Sequence, residues 1–141
     1  MKTTSAPLVV TARVLLALMF VLAGASKFAD LGGTAGYIAS KGLPLAPLAA
    51  FGTASLEVLG GLALAFGVKA RWAAAALAFF TLLATFLFHN FWAMPADQAF
   101  VNQLMFMKNL SVIGGLLMVV AFGAGPASVD ARLAAQRPAH A

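Results

Sequence analysis

The chain of 141 residues is 62% hydrophobic and only 9% charged, whereas soluble domains are about 25% charged. Its net charge of +5 is scattered over predicted helix ends and forms no basic face, which argues against nucleic acid as a partner. The absence of cysteine excludes disulfides, thiol relays and Fe–S ligation. We therefore predict an integral membrane protein whose main contacts are with lipids.

Four apolar stretches, taken in chain order, predict four transmembrane helices: residues 8–26, 46–67, 72–91 and 100–123. Each is close to the ~20 residues that a helix needs to cross the hydrocarbon core. The first stretch loosely imitates a cleaved signal peptide, but it is too long for a signal core and contains Arg13, so we interpret it as a retained span. The predicted fold is an all-α, antiparallel four-helix bundle in one domain at 1–126, followed by a short, polar, frayed tail at 127–141.

Two longer connections join these spans. Residues 27–47 contain an amphipathic piece at 34–41 followed by Gly42 and Pro44, which predicts a short interfacial helix with a glycine at its end. Residues 90–98 predict a tight loop on the same side of the membrane. Trp72 and Trp92 mark opposite ends of the third span, as interfacial anchors do.

The basic residues outside the spans predict the orientation of the bundle. With four antiparallel spans, both termini and the link between spans two and three share one side. That side holds Lys2, Lys69, Arg71, Arg132 and Arg137, whereas the other side holds Lys27 and Lys41. The positive-inside rule therefore predicts a bacterial-type inner membrane protein with both termini in the cytoplasm.

An internal repeat indicates a duplicated helical hairpin. The run Leu56-Glu57-Val58-Leu59-Gly60-Gly61-Leu62 in span two resembles Leu110-Ser111-Val112-Ile113-Gly114-Gly115-Leu116 in span four. Both copies would have the same orientation, related by a pseudo-twofold axis along the membrane normal. The Gly-Gly steps would allow close helix approach, and Glu57 and Ser111 would be symmetry mates near the bundle centre.

Glu57 is the polar residue that most needs an explanation, since it lies near the middle of span two. A carboxylate at that depth costs several kcal/mol unless it is paired or protonated. From the rise of 1.5 Å per residue, Arg13 and Lys108 lie within reach on opposite sides of the midplane. Two interpretations remain open: a structural ion pair that fixes helix register, or a carboxyl that handles protons or polarises a ligand.

Further polar residues lie on helix faces that can turn toward Glu57. His89 shares a helix face with Thr81 and Thr85. It either makes hydrogen bonds with lipid headgroups or exchanges protons with a ligand. The threonine hydroxyls are expected to donate hydrogen bonds to carbonyls of their own helix. In span one, a single stripe predicted to face inward consists of Arg13, Ala17, Phe20, Gly24 and Lys27. In span four the outer third is polar, with Asn102, Gln103, Lys108 and Asn109. We predict that these residues converge on a pocket with Glu57 as its floor.

These residues, in this order, resemble the DoxX family of small four-helix membrane proteins. The resemblance is carried by Arg13, the step Gly24-Ala25-Ser26-Lys27-Phe28, the turn Gly42-Leu43-Pro44, the run Glu57-Val58-Leu59-Gly60-Gly61, His89 before Phe91-Trp92, and Lys108-Asn109 leading to Gly114-Gly115. It covers nearly the whole chain. It implies a link to quinone-dependent oxidation or to membrane oxidoreductase complexes.

The resulting functional hypothesis is a quinone-interacting or membrane-anchoring component of an oxidoreductase system. Glu57 and His89 are the candidate catalytic residues, and the candidate ligand-binding residues are Arg13, Lys27, Lys108 and Asn109. A quinone and a soluble oxidoreductase are the implied ligand and partner. No Fe–S cluster is expected, because the chain has no cysteine. No haem or metal is expected either, because the second histidine, His140, lies on the opposite side of the membrane from His89. A non-catalytic scaffold or assembly factor and a small-solute transporter are the alternatives, and a homo-oligomer stays open.

Overall fold

The computed structural model describes residues 5–136, in which six α-helices and no strand occur. The helices are α1 (Ala6–Ala29), α2 (Leu31–Ser40), α3 (Ala46–Phe66), α4 (Ala70–Phe88), α5 (Ala96–Phe122) and α6 (Val129–Ala135), with a 3₁₀ turn at Phe91–Ala93. The all-α prediction is confirmed. Lys2 and Arg137, on which part of the orientation argument depends, lie outside the described residues, as does His140, which entered the argument against haem.

Helices α1, α3, α4 and α5 are the four membrane spans found within residues 5–136, each long and apolar enough to cross a bilayer. Their outer faces expose large apolar side chains such as Leu59, Phe66, Trp72 and Phe122. A contiguous apolar surface of this kind is unfavourable in water and favourable in lipid. The protein is therefore a polytopic membrane protein whose helices contact lipid.

The bundle consists of two antiparallel hairpins that lie side by side. Helix α1 packs along α3, and α4 packs along α5, while α3 and α4 join the two hairpins. The start of α1 and the end of α3 lie at one end of the bundle, which we call the terminal end. The opposite end, where α2 packs against α3, is called the distal end.

The terminal half of the bundle contains the close-packed core. Its most buried side chains come from all four spans: Ala17, Phe20, Leu64, Ala74, Leu77, Ala78 and Leu116. Glycines set the spacing between α1 and α3: a Cβ on Gly61 would lie 2.8 Å from Val21 Cγ2, and one on Gly24 would lie 2.8 Å from the Ala54 carbonyl oxygen. These contacts are closer than a side chain allows, so glycine is what permits the two backbones to approach.

The interfacial segment after span one forms a helix, as predicted, but it begins three residues earlier than the amphipathic pattern indicated. Asp30 explains the earlier start, because its carboxylate accepts a hydrogen bond of 2.8 Å from the Gly33 N–H and so caps α2. The helix ends at Ser40, and Gly42 follows with φ of 73°. That left-handed conformation favours glycine.

The segment after Pro126 departs from the expectation of a frayed tail. It forms α6, whose first turn is capped by Ser128 Oγ accepting from the Ala131 N–H at 3.1 Å. Asp130 fastens α6 to the bundle: its carboxylate accepts from the Lys69 and Ala70 N–H groups at 2.7 and 2.9 Å. The frayed-tail prediction is therefore wrong for the described part of this segment.

Two arginines support the predicted duplication of the hairpin. Arg13 near the start of α1 donates to the Ala65 carbonyl at the end of α3, and Arg71 at the start of α4 donates to the Val120 and Ala121 carbonyls at the end of α5. Each arginine thus binds the last turn of its own hairpin partner. The predicted place of Ser111 at the bundle centre is wrong, because its side chain is exposed and bonds the Met107 carbonyl.

Candidate functional site

A cavity of about 430 Å³ occupies the distal half of the bundle, where the core described above ends. It lies between the two hairpins and is bordered by α2. Most of its wall is apolar, formed by side chains that include Met19, Phe20, Ile38, Phe80, Leu83, Leu87 and Phe88. Its size and its apolar wall with a few polar groups are typical of small-molecule binding sites.

The polar part of the wall gathers five of the six predicted site residues. Lys27, Glu57, His89, Lys108 and Asn109 all line the cavity. They come from α1, α3, the end of α4, and α5, so the pocket exists only because the four spans assemble. The exception among the predicted residues is Arg13.

Glu57 is paired with Lys27. Lys27 Nζ lies 2.6 Å from Glu57 Oε2, and the glutamate side chain is 7% exposed while that of the lysine is 30% exposed. Gly24, one turn before Lys27, makes the pair possible, because α1 and α3 can approach closely there. The prediction that Arg13 or Lys108 neutralises Glu57 is therefore wrong, although the need for a partner was correctly inferred.

Arg13 acts at the terminal end of the bundle, away from the cavity. Its guanidinium donates to the carbonyls of Ala65 at 3.2 Å, of Ala127 at 2.9 Å, and of Ala124. The side chain is buried, and these carbonyls lie in the last turn of α3 and in the link between α5 and α6, where backbone carbonyls have no helix hydrogen bond to accept. Its geometry is that of a structural tie between α1, α3 and the segment before α6.

His89 is held at the rim of the cavity, just after the end of α4. Its Nδ1 lies 3.0 Å from Asn102 Oδ1, and Asn102 Nδ2 in turn donates to the Gln98 carbonyl at 3.0 Å. Because the amide oxygen can only accept, this contact places the ring proton on Nδ1. The polar start of α5 therefore orients the histidine, a contact not predicted from the sequence.

Thr81 and Thr85 form a ladder within α4. Thr81 Oγ1 donates to the Leu77 carbonyl at 2.7 Å, and Thr85 Oγ1 donates to the Thr81 carbonyl at 2.6 Å, which confirms the predicted back-bonding. Asn109 Nδ2 then donates to Thr85 Oγ1 at 3.0 Å. Asn109 thus joins α5 to α4 and lines the cavity at the same time.

Two aromatic residues that sequence reasoning did not single out help to close the cavity. Tyr37 of α2 and Phe88 of α4 both line it, and their ring centroids are 5.3 Å apart. Tyr37 is the single tyrosine of the chain, and its place in the amphipathic segment is the feature of the sequence that could have indicated a role at the cavity. Their contact ties the interfacial helix to the rim of the site.

Lys27 also borders a second, smaller cleft on the distal surface. This cleft is lined by Ser26, Lys27, Asp30, Gly33, Thr34 and Tyr37. Lys27 therefore lies between the cavity inside the bundle and a polar surface region outside it.

Comparison with known families shows where the chain belongs. The model of the DoxX family matches residues 8–90, which is more than half of the chain. The protein is a member of the DoxX family. It is 41% identical to the inner membrane protein YqjF of Escherichia coli over 124 residues, which cover 86% of this chain and 88% of YqjF. It is 33% identical to the inner membrane protein YphA of the same organism over 125 residues, or 89% of each chain.

A second similarity overlaps the first and extends further toward the C-terminal end of this DoxX-family protein. The SURF4 family model matches residues 51–134. The Surfeit locus protein 4 homolog of Schizosaccharomyces pombe is 36% identical over 66 residues, which cover 45% of this chain but 22% of the fungal protein. No solved structure matches the chain. The family assignment confirms the resemblance in the sequence motifs and the membrane location.

Proposed function

We propose that this DoxX-family protein binds a quinone-type lipid in its distal cavity and is the quinone-interacting component of an oxidoreductase system; the alternative is a membrane anchor that binds no quinone. The observation that supports this best is the combination of Glu57, His89 and Lys108 in one apolar cavity at membrane depth. Apolar walls suit an isoprenoid tail, and the polar groups suit the carbonyl oxygens of a ring.

Each polar residue would have its own role in such a site. Reduction of a quinone to a quinol takes two electrons and two protons, and Glu57 and His89 have side chains that can give or take a proton. Lys27, Lys108 and Asn109 would donate hydrogen bonds to ring oxygens. Since the chain has no cysteine, we propose that electrons come from a soluble oxidoreductase that docks at the membrane.

Filling the cavity tests this proposal directly. Ala84 lines the cavity, whereas Ala76 lies two turns earlier on α4 with its side chain exposed outside it. With the protein in nanodiscs, we expect a short-tailed quinone to bind the wild type and the Ala76→Trp variant equally. The Ala84→Trp variant should lose binding, because the indole ring would occupy the site.

Native mass spectrometry of gently extracted protein gives a second measurement on the unmodified chain. A bound quinone in the wild type that is absent from Ala84→Trp would support the proposal. The scaffold alternative expects phospholipid alone in the cavity and the same quinone response from both tryptophan variants. Either of those results would contradict quinone binding and favour the anchoring role.

A further inference from the structure

Lys108 places a positive charge inside a membrane span, at the edge of the cavity. It lies near the middle of the 27-residue helix α5, and its side chain is exposed at the edge of the cavity. The hydrogen bond recorded for its Nζ is one of 3.7 Å to Met105 Sδ, and a thioether is a weak acceptor. A cation at this depth in a membrane is costly unless it finds a better partner.

The rest of the cavity wall does not provide that partner. The charged side chains that line the cavity among residues 5–136 are Lys27, Glu57 and Lys108, and the carboxylate of Glu57 already lies 2.6 Å from Lys27. Asp30 faces the outer cleft, where its carboxylate caps α2. One positive charge in the cavity therefore remains without an anion in the described part of the chain.

Lipid headgroups are a distant partner. At 1.5 Å per residue, Lys108 lies about 5 Å to the distal side of the middle of span 100–123, which is about 10 Å from the edge of a hydrocarbon core about 30 Å thick. To approach that edge, the stem would have to extend along the helix and away from the cavity. In the position that the structure shows, the side chain lines the cavity instead.

We propose that Lys108 makes the cavity selective for an amphiphile whose head carries an anionic oxygen. The ammonium group would pair with that oxygen beside the amide of Asn109, and the apolar wall would hold the hydrocarbon part. This inference rests on the cavity of the proposed function and defines the charge of its ligand. The anionic oxygen can belong to an ionised hydroxyquinone ring or to the carboxylate of a fatty acid.

Three probes separate charge from ring structure: the hydroxynaphthoquinone lawsone, whose hydroxyl is ionised at neutral pH; unsubstituted naphthoquinone, which is neutral; and decanoate, which has the charge without the ring. Each would be titrated against the full chain in nanodiscs of phosphatidylcholine. In the wild type, lawsone should bind about tenfold or more tightly than naphthoquinone, since a charge-assisted hydrogen bond is worth at least that factor.

Variants at two lysines then assign the preference to one residue. Lys108→Met should abolish the preference for the anionic probe, and Lys108→Arg should keep it. Lys69→Met is the matched control, because Lys69 lies between α3 and α4 with its side chain exposed and outside the cavity, and it should behave as the wild type. The ratio of affinities in the wild type remains informative even if Lys108→Met does not fold.

The outcomes distinguish this inference from the proposed function. Equal affinity of the wild type for lawsone and naphthoquinone, or a preference that survives in Lys108→Met, would overturn the inference and leave quinone binding intact. If decanoate is the one probe that binds and its binding depends on Lys108, the inference holds with a fatty acid as the ligand, and the quinone proposal is overturned. If no probe binds, both ideas are wrong.

Discussion

Lys27 and Glu57 form an ion pair in which a lysine from the last turn of α1 neutralises a carboxylate in the middle of α3, with Nζ 2.6 Å from Oε2. The pair is part of the cavity wall, and its lysine also borders the outer cleft. Any proton that Glu57 gains would weaken its hold on Lys27. The protonation of the carboxyl and the position of the lysine are therefore linked in this geometry.

The Lys27→Met variant should be less stable than the wild type by about 2 kcal/mol, because it leaves the Glu57 carboxylate buried without its cation. The partial exposure of Lys27 keeps this below the full cost of breaking a buried pair. Thermal unfolding in detergent measures the change. Lys69→Met, at an exposed lysine, should melt as the wild type does, and Lys27→Met combined with Glu57→Gln should recover part of the loss. A single variant as stable as the control would contradict the prediction.

Glycines taken from the two Gly-Gly steps should respond differently to the same change. Gly61→Ala should destabilise the protein by about 1–3 kcal/mol, because the new Cβ would lie 2.8 Å from Val21 Cγ2 and 3.2 Å from the Ala17 carbonyl oxygen. At Gly114 nothing lies within 4 Å of such a Cβ, so Gly114→Ala should be neutral or slightly stabilising. Unfolding in increasing dodecyl sulfate would show the contrast. Equal midpoints would argue against close packing of α1 on α3.

Arg13→Leu should destabilise the bundle by at least about 2–3 kcal/mol, since a charged donor to three carbonyls is removed. It should also loosen the segment that precedes α6, which contains two of those carbonyls. Limited proteolysis after residue 122 and the melting temperature report the two effects. Arg132→Leu on exposed α6 is the control. If both variants resist protease alike, Arg13 is not the tie that its contacts indicate.

The orientation of the bundle can be tested because the chain has no cysteine. Gly36 in α2 has open space around it, whereas a Cβ on Gly33 would collide with Asp30, so Gly36→Cys is the better probe of the distal end. Ala135→Cys probes α6. We propose that the termini are cytoplasmic, and an impermeant maleimide added to intact cells should then label Gly36→Cys but not Ala135→Cys. Labelling of both from one side would refute the antiparallel arrangement, and the reverse pattern would invert the orientation.

The chemistry at the cavity should depend on Glu57 more than on His89. Glu57→Gln keeps the shape and some hydrogen bonding but cannot ionise, so a quinone should still bind while quinol formation falls. His89→Ala should act in the same direction with a weaker effect, because interfacial water can replace part of its role. Both are measured in proteoliposomes with a soluble electron-donating partner isolated by co-purification. Unchanged turnover in both variants would remove them from the proposed catalytic set.

Hydropathy was sufficient to predict the helices but not the pairing of charges between them. All four spans were recovered with ends shifted by a few residues, because apolar length alone determines what can cross a bilayer. Counting the membrane depth of each residue along straight helices favours Arg13 and Lys108 as partners of Glu57 and misses Lys27. Lys27, at the end of its span, reaches Glu57 only because glycine brings α1 against α3, and such an approach depends on packing.

The capping of α4 by α6 was missed for a related reason. Ser128 followed by Asp130 is a helix-start signal that could have been recognised in the alanine-rich segment. The Asp130 carboxylate also caps α4, because it accepts hydrogen bonds from the Lys69 and Ala70 N–H groups. This contact depends on how the chain folds back after α5. Such contacts between residues far apart in the chain leave no periodic pattern.

The reach of Arg13 has a consequence for how the chain is made. Two of its acceptors, the Ala124 and Ala127 carbonyls, follow it by 111 and 114 residues. They are translated after all four described spans, whereas the Ala65 carbonyl at the end of α3 is translated after the second. The full set of hydrogen bonds to Arg13 can therefore form only after the chain beyond α5 has been made.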